Sequence, residues 1–116
     1  MRNFRELVVW KEARILVKEI YGVTQKFPES EKFGLVAQIN RCVISIPANI
    51  AEGSAKFSKK DFIRFLQISL GSAYELQSHL ILSVDLQFID EPQVSVTMEK
   101  IRLLQRRIAS LIKANK

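Results

Sequence analysis

His79 is the only histidine of the chain and Cys42 the only cysteine, so the residue types that most often bind metals or attack substrates occur once each. A single histidine excludes a multi-histidine metal site. Glu75 stands four residues before it, not the three of the Glu-x-x-His pairs that hold di-iron centres in helical bundles. His79 therefore reads as structural. Cys42 recurs with apolar neighbours at helical spacing, where a cysteine behaves as a small hydrophobe and not as a nucleophile. Gly53 and Gly71 are isolated, which leaves no glycine-rich phosphate loop. No serine has the strand-turn-helix context of a nucleophile elbow. The expectation is a non-enzyme with no metal and no cofactor.

What remains is the chemistry of charge. Eighteen Lys and Arg stand against twelve Asp and Glu, a net charge of +6, and a basic balance suits polyanionic partners. Lys56, Lys59, Lys60 and Arg64 cluster with Asp61 alone to oppose them. Toward the C-terminal end Lys100, Arg102, Arg106, Arg107, Lys113 and Lys116 face only Glu91 and Glu99. Cations so gathered suit phosphate-backbone contact with RNA or DNA without sequence readout. No recognition-helix pattern or surface aromatic platform points to base-specific binding. A solvated face with ordinary helix C-terminal cations accounts for the same pattern. On the functional reading, Arg106→Glu with Arg107→Glu weakens binding broadly and lowers its salt dependence.

These residues need elements to hold them. With 116 residues, 47% of them hydrophobic, the chain has the length of one domain (1–116) and the means to fill one core. Its N-terminal stretch is charged every few residues, unlike a signal peptide, and no apolar run nears the ~20 residues of a membrane span. A soluble, cytoplasmic protein with no membrane partner is expected. The punctuation divides it into four helices. The first runs from about Leu7 to Lys26, stopped by Phe27-Pro28. The second carries Leu35, Ile39, Cys42, Ile46 and Ile50 on one face, with a break at Gly34, a kink at Pro47 and a stop at Gly53. Ser58-Lys59-Lys60-Asp61 caps a third helix that reaches about Leu86, and Asp90-Glu91-Pro92 opens a fourth. Short connections favour antiparallel neighbours, hence an all-α, up-down-up-down four-helix bundle.

The third helix has two apolar stripes, one through Phe62, Phe65, Leu66, Ala73, Leu76 and Leu80, the other through Ile63, Leu70, Tyr74, Ile81 and Phe88. A monomeric bundle needs one stripe per helix. The surplus predicts self-association. On the second helix Gln38, Arg41, Ser45, Asn49 and Glu52 form a polar stripe. Across from it Gly71, Ser72, Glu75, Ser78 and His79 line one side of the third helix, so that Arg41 could pair with Glu75. The stripe is either a solvated face or a buried, hydrogen-bonded network that sets partner geometry.

Ser45-Ile46-Pro47-Ala48-Asn49-Ile50-Ala51-Glu52-Gly53 resembles the hallmark of the four-helix-bundle proteins encoded in intervening sequences of bacterial 23S ribosomal RNA genes. Phe4, Leu7, Trp10, Ala13, Phe27-Pro28, Gly34-Leu35, Gln38-Ile39-Asn40-Arg41 and Gly71-Ser72-Ala73-Tyr74-Glu75-Leu76 support the resemblance. It implies a homopentameric barrel with a central channel, and kinship with the accessory variability determinant of diversity-generating retroelements. That relative is a basic pentamer that binds nucleic acid and associates with a reverse transcriptase. Carried over residue by residue, the resemblance implies that Arg41, Asn49, Glu52 and Glu75 make a buried polar or subunit-contact network, with Ser45, Gly53 and Gly71 beside it. Pro47 shapes the bend of the second helix. The cations named above are nominated on charge alone, and an adaptor for another protein is the alternative.

Overall fold

The computed structural model describes residues 2–116. Its four helices are α1 (Val8–Thr24), α2 (Leu35–Ser54), α3 (Lys59–Asp85) and α4 (Glu91–Ala114), with 3-10 turns at Phe4–Glu6 and Glu29–Glu31 and no strand among the described residues. Local chemistry sets most of their ends. The Ser58 hydroxyl accepts the Asp61 N–H at 3.1 Å at the start of α3, and the Asp90 N–H donates to Gln93 Oε1 at 2.7 Å at the start of α4. The end of α3 is a Schellman motif: Phe88 N–H reaches the Ser83 carbonyl and Gln87 N–H the Val84 carbonyl.

Two sequence expectations are corrected here. Pro28-Glu29-Ser30-Glu31 reads as a turn and is one, a 3-10 turn at Glu29–Glu31, but the helix it leads into is not merely broken at Gly34: α2 begins only at Leu35. Gly53 is not the stop of α2. It lies inside the last turn, φ is not positive there, and Ser54 and Ala55 follow in the helix and its cap. Its lack of a side chain serves packing: a Cβ would sit 2.7 Å from the Phe65 Cβ. Pro47 lies within α2, and the helix runs on through it. Side chains on either side of the proline donate to carbonyls that precede it, Ser45 to Cys42 at 2.6 Å and Asn49 to Ser45 at 2.8 Å. From α3, Ser69 donates to Ile46 at 2.9 Å.

The core sits on the axis, where each helix contributes one apolar stripe. Ala13 and Ile20, Ile46 and Ile50, Leu66 and Leu76, and Ile101 and Ile108 are all 0% exposed. Burial of each large side chain contributes about 1.5–3 kcal/mol. Helices pack in ring order, α1 on α2, α2 on α3, α3 on α4 and α4 on α1. No helix is long and apolar enough to cross a membrane among the described residues.

Candidate nucleic-acid interface

Contacts between helix ends gather four sequence segments at one end of a molecule 43 Å long. Arg2 N–H donates to the Ser54 carbonyl, which brings the start of α1 to the end of α2. Gly53 packs on Phe62 and Phe65, at the start of α3, and a shallow cleft joins Lys59, Lys60 and Arg64 to Asn115 and Lys116 at the end of α4. Residues 2–8, 52–66 and 108–116 meet here, with eight cations against Glu6, Glu52 and Asp61, a side-chain balance of +5. At the other end residues 19–41 and 79–100 hold seven carboxylates against four cations, a balance of −3. The Thr24 hydroxyl donates to Asn40 Oδ1 at 3.0 Å there, and Phe27 packs on Phe88. Charge is thus uneven along the long axis: one end is basic, the other acidic, and the waist between them, with Lys11, Arg14, Lys18, Arg102, Arg106 and Arg107 against Glu12 and Glu75, is basic too.

The nominated cations divide accordingly. Lys56, Lys59, Lys60, Arg64 and Lys113 lie at the basic end, all but half-buried Lys56 exposed. Arg64 approaches Asp61 at 3.9 Å. The others run along the flank of α4, and three of them are already engaged: Lys100 with Glu19, Arg102 with Glu99 and Arg107 with Glu12. Glu12 raises the Arg107 guanidinium further above its ordinary pKa, through their hydrogen bond first and its charge second. Glu12 Oε1 is buried with no hydrogen-bond partner. A charge reversal at Arg107 therefore disturbs the α1–α4 contact as well as any phosphate site. Arg106 is exposed, with no carboxylate paired to it among the described residues.

The polar stripe of α2 is brought opposite its α3 counterpart, but within one chain it is not buried. Gln38, Arg41, Cys42, Ser45 and Glu75 line a shallow groove. Arg41, Glu52, Gly71 and Glu75 are exposed and Ser45, Pro47 and Asn49 half-buried. Arg41 and Glu75 make no ion pair; Glu75 instead meets His79 Nε2 at 3.1 Å. Spacing shows which residues share a face, not what covers it. The Cys42 thiol donates to the Ser72 carbonyl at 3.0 Å. Its pKa is pushed up to about 12, by burial first and then by the charge and hydrogen bonding of Glu75, so it is a poor nucleophile.

The surplus stripe of α3 is exposed only in part: Ile63, Leu70 and Phe88 pack against the core, and Tyr74 and Ile81 join other apolar side chains on the flanks. Val8, Ile15, Ile44, Ile68, Tyr74 and Ile81 are each between 46% and 58% exposed. Two aromatic side chains escaped the sequence reading. Phe57 is 91% and Phe33 89% exposed, both in connections between helices, where a phenylalanine carries no periodic signal.

A family model for the 23S rRNA-intervening sequence protein matches residues 5–110. Among solved structures, the chain is similar to a protein of unknown function from the S23 ribosomal protein family of Bacteroides thetaiotaomicron VPI-5482. The two are 28% identical with a TM-score of 0.85, over 91% of this chain and 99% of that one. No curated protein matches.

Proposed function

The chain belongs to the 23S rRNA-intervening sequence protein family, and on that premise we propose that it is a non-enzymatic, homo-oligomeric RNA- or DNA-binding protein of the cytoplasm. Its unit is an up-down-up-down bundle, its assembly the pentamer that the hallmark through Pro47 implies, and its binding surface the basic end. The observation that carries this reading is the segregation of charge, +5 at one end and −3 at the other. A polyanion is attracted to the first and repelled by the second, so the molecule presents itself end-on. The placement of exposed apolar residues is compatible with it. They occupy the flanks, so copies joined side by side keep their basic ends free and collect them on one rim, where weak phosphate contacts add up. Arg41, Asn49, Glu52, Glu75 and Gly71, open on the α2–α3 face, fall within such a flank contact.

The test is nucleic-acid affinity across a salt series, with the oligomer mass recorded in the same buffers. A mass of five chains of 13.3 kDa is expected, with affinity that falls steeply as salt rises. Lys59→Glu with Lys60→Glu should weaken binding to every sequence and flatten the salt slope by about one to two. Arg106→Glu alone should act in the same direction, more weakly. Unchanged affinity and slope in the double variant would remove the basic end from the interface. The exposed flanks favour a second reading, a scaffold for another protein such as a reverse transcriptase. Salt-insensitive capture of one protein partner, with no nucleic-acid binding at low salt, is its signature.

A further inference from the structure

We infer that the basic end takes a single-stranded polynucleotide, and that Phe57 is the platform on which one of its bases stacks. This rests on the nucleic-acid reading above and adds to it a choice between single strand and duplex. Residues 55–58 connect α2 to α3, and Phe57 is the most exposed large apolar side chain among the described residues. Among the described residues no ring or cation lies over it. The neighbouring cations turn elsewhere: Lys56 Nζ lies 5.1 Å and Arg64 Cζ 5.0 Å from the centre of the Phe65 ring. Both faces of Phe57 are therefore open, while Lys56, Lys59 and Lys60 stand one to three residues away.

The combination selects its ligand by chemistry. Cations alone bind phosphates of any strand. An open ring set among them adds contact only where a base is free to leave its own stack, which a duplex does not offer and a single strand does. Every base has a π face, so the contact is indifferent to sequence. Phe33 supplies the internal comparison. It is as exposed, but Lys32 Nζ lies 5.5 Å from the centre of its ring, and it follows Glu29 and Glu31 at the acidic end, where a phosphate backbone is repelled.

The experiment measures binding of fluorescent oligo-U, oligo-dT and a matched duplex to the intact protein, for wild type, Phe57→Ala, Phe57→Trp and Phe33→Ala. Oligomer mass and the urea midpoint accompany each variant. The expected result is tighter binding of both single strands than of the duplex. Phe57→Ala should lose about five- to hundredfold in single-strand affinity, with duplex affinity and salt slope unchanged. Phe57→Trp should retain binding, and Phe33→Ala should match wild type. Equal binding of strand and duplex, unmoved by Phe57→Ala, overturns the stacking platform and leaves the phosphate surface standing. No binding of either overturns both. A fall in oligomer mass in Phe57→Ala overturns the platform too, by assigning the ring to a contact between chains, and an equal loss in Phe33→Ala overturns its placement.

Discussion

Gln87 has a φ of 63°, the left-handed conformation that closes the Schellman motif after α3. Glycine is the usual occupant of such a position, because a Cβ there costs roughly 1 kcal/mol. Gln87→Gly should therefore raise stability by about 1 kcal/mol, read as a higher urea midpoint at unchanged slope. Gly53 has the opposite requirement. A methyl group there would press on the Cβ of Phe65, which cannot swing away. Gly53→Ala is expected to cost about 1–3 kcal/mol, as overpacked cores do, and a urea midpoint equal to wild type would contradict it. Cys42 makes a prediction about pH. Its thiol keeps its proton up to about 12 in the folded chain but releases it near the ordinary thiol value of 9.0 when unfolded. The folded state thus binds the extra proton, so this contribution is intact below pH 9 and is lost as pH rises toward 12. Cys42→Ala should flatten the alkaline limb of the stability curve relative to wild type. Thiol reagents at pH 8 should label native protein slowly and urea-unfolded protein at an ordinary rate.

The helices themselves differ in how openly the sequence declares them. Starts at Ser58 and Asp90 are legible because a cap is made by residues three positions apart. The core stripes are legible because period alone defines them. The Schellman end of α3 carries no glycine to announce it, and the role of Gly53 depends on two side chains from another helix. The candidate site was legible as a list of cations and illegible as a place. Lys100 and Arg107 find their carboxylates 81 and 95 residues away, and the four segments of the basic end meet only after folding. At this scale Gly71 is the informative position. It is exposed inside α3, with nothing within 4 Å of an added Cβ. Gly71→Ala should stabilise an isolated chain by about 0.5–1 kcal/mol through helix propensity alone. If the α2–α3 face joins copies, the same change should lower the oligomer mass. Higher stability at unchanged mass would take Gly71 out of the contact.

For the whole molecule, the ring order of helices explains why charge can be segregated without a penalty in the core. The ends are made of turns and helix termini, where cations and carboxylates stay solvated, and the axis between them is apolar. The structural neighbour shares this architecture at 28% identity. One consequence follows from the length of the rod. At physiological ionic strength the Debye length is about 8 Å, a small fraction of the 43 Å between extremes. The two ends are therefore hidden from each other by the intervening salt, and the net charge of +6 describes neither. Near neutral pH and at that ionic strength the protein should be retarded on a cation-exchange resin through one end and on an anion-exchange resin through the other, a Janus behaviour that a uniformly basic protein lacks.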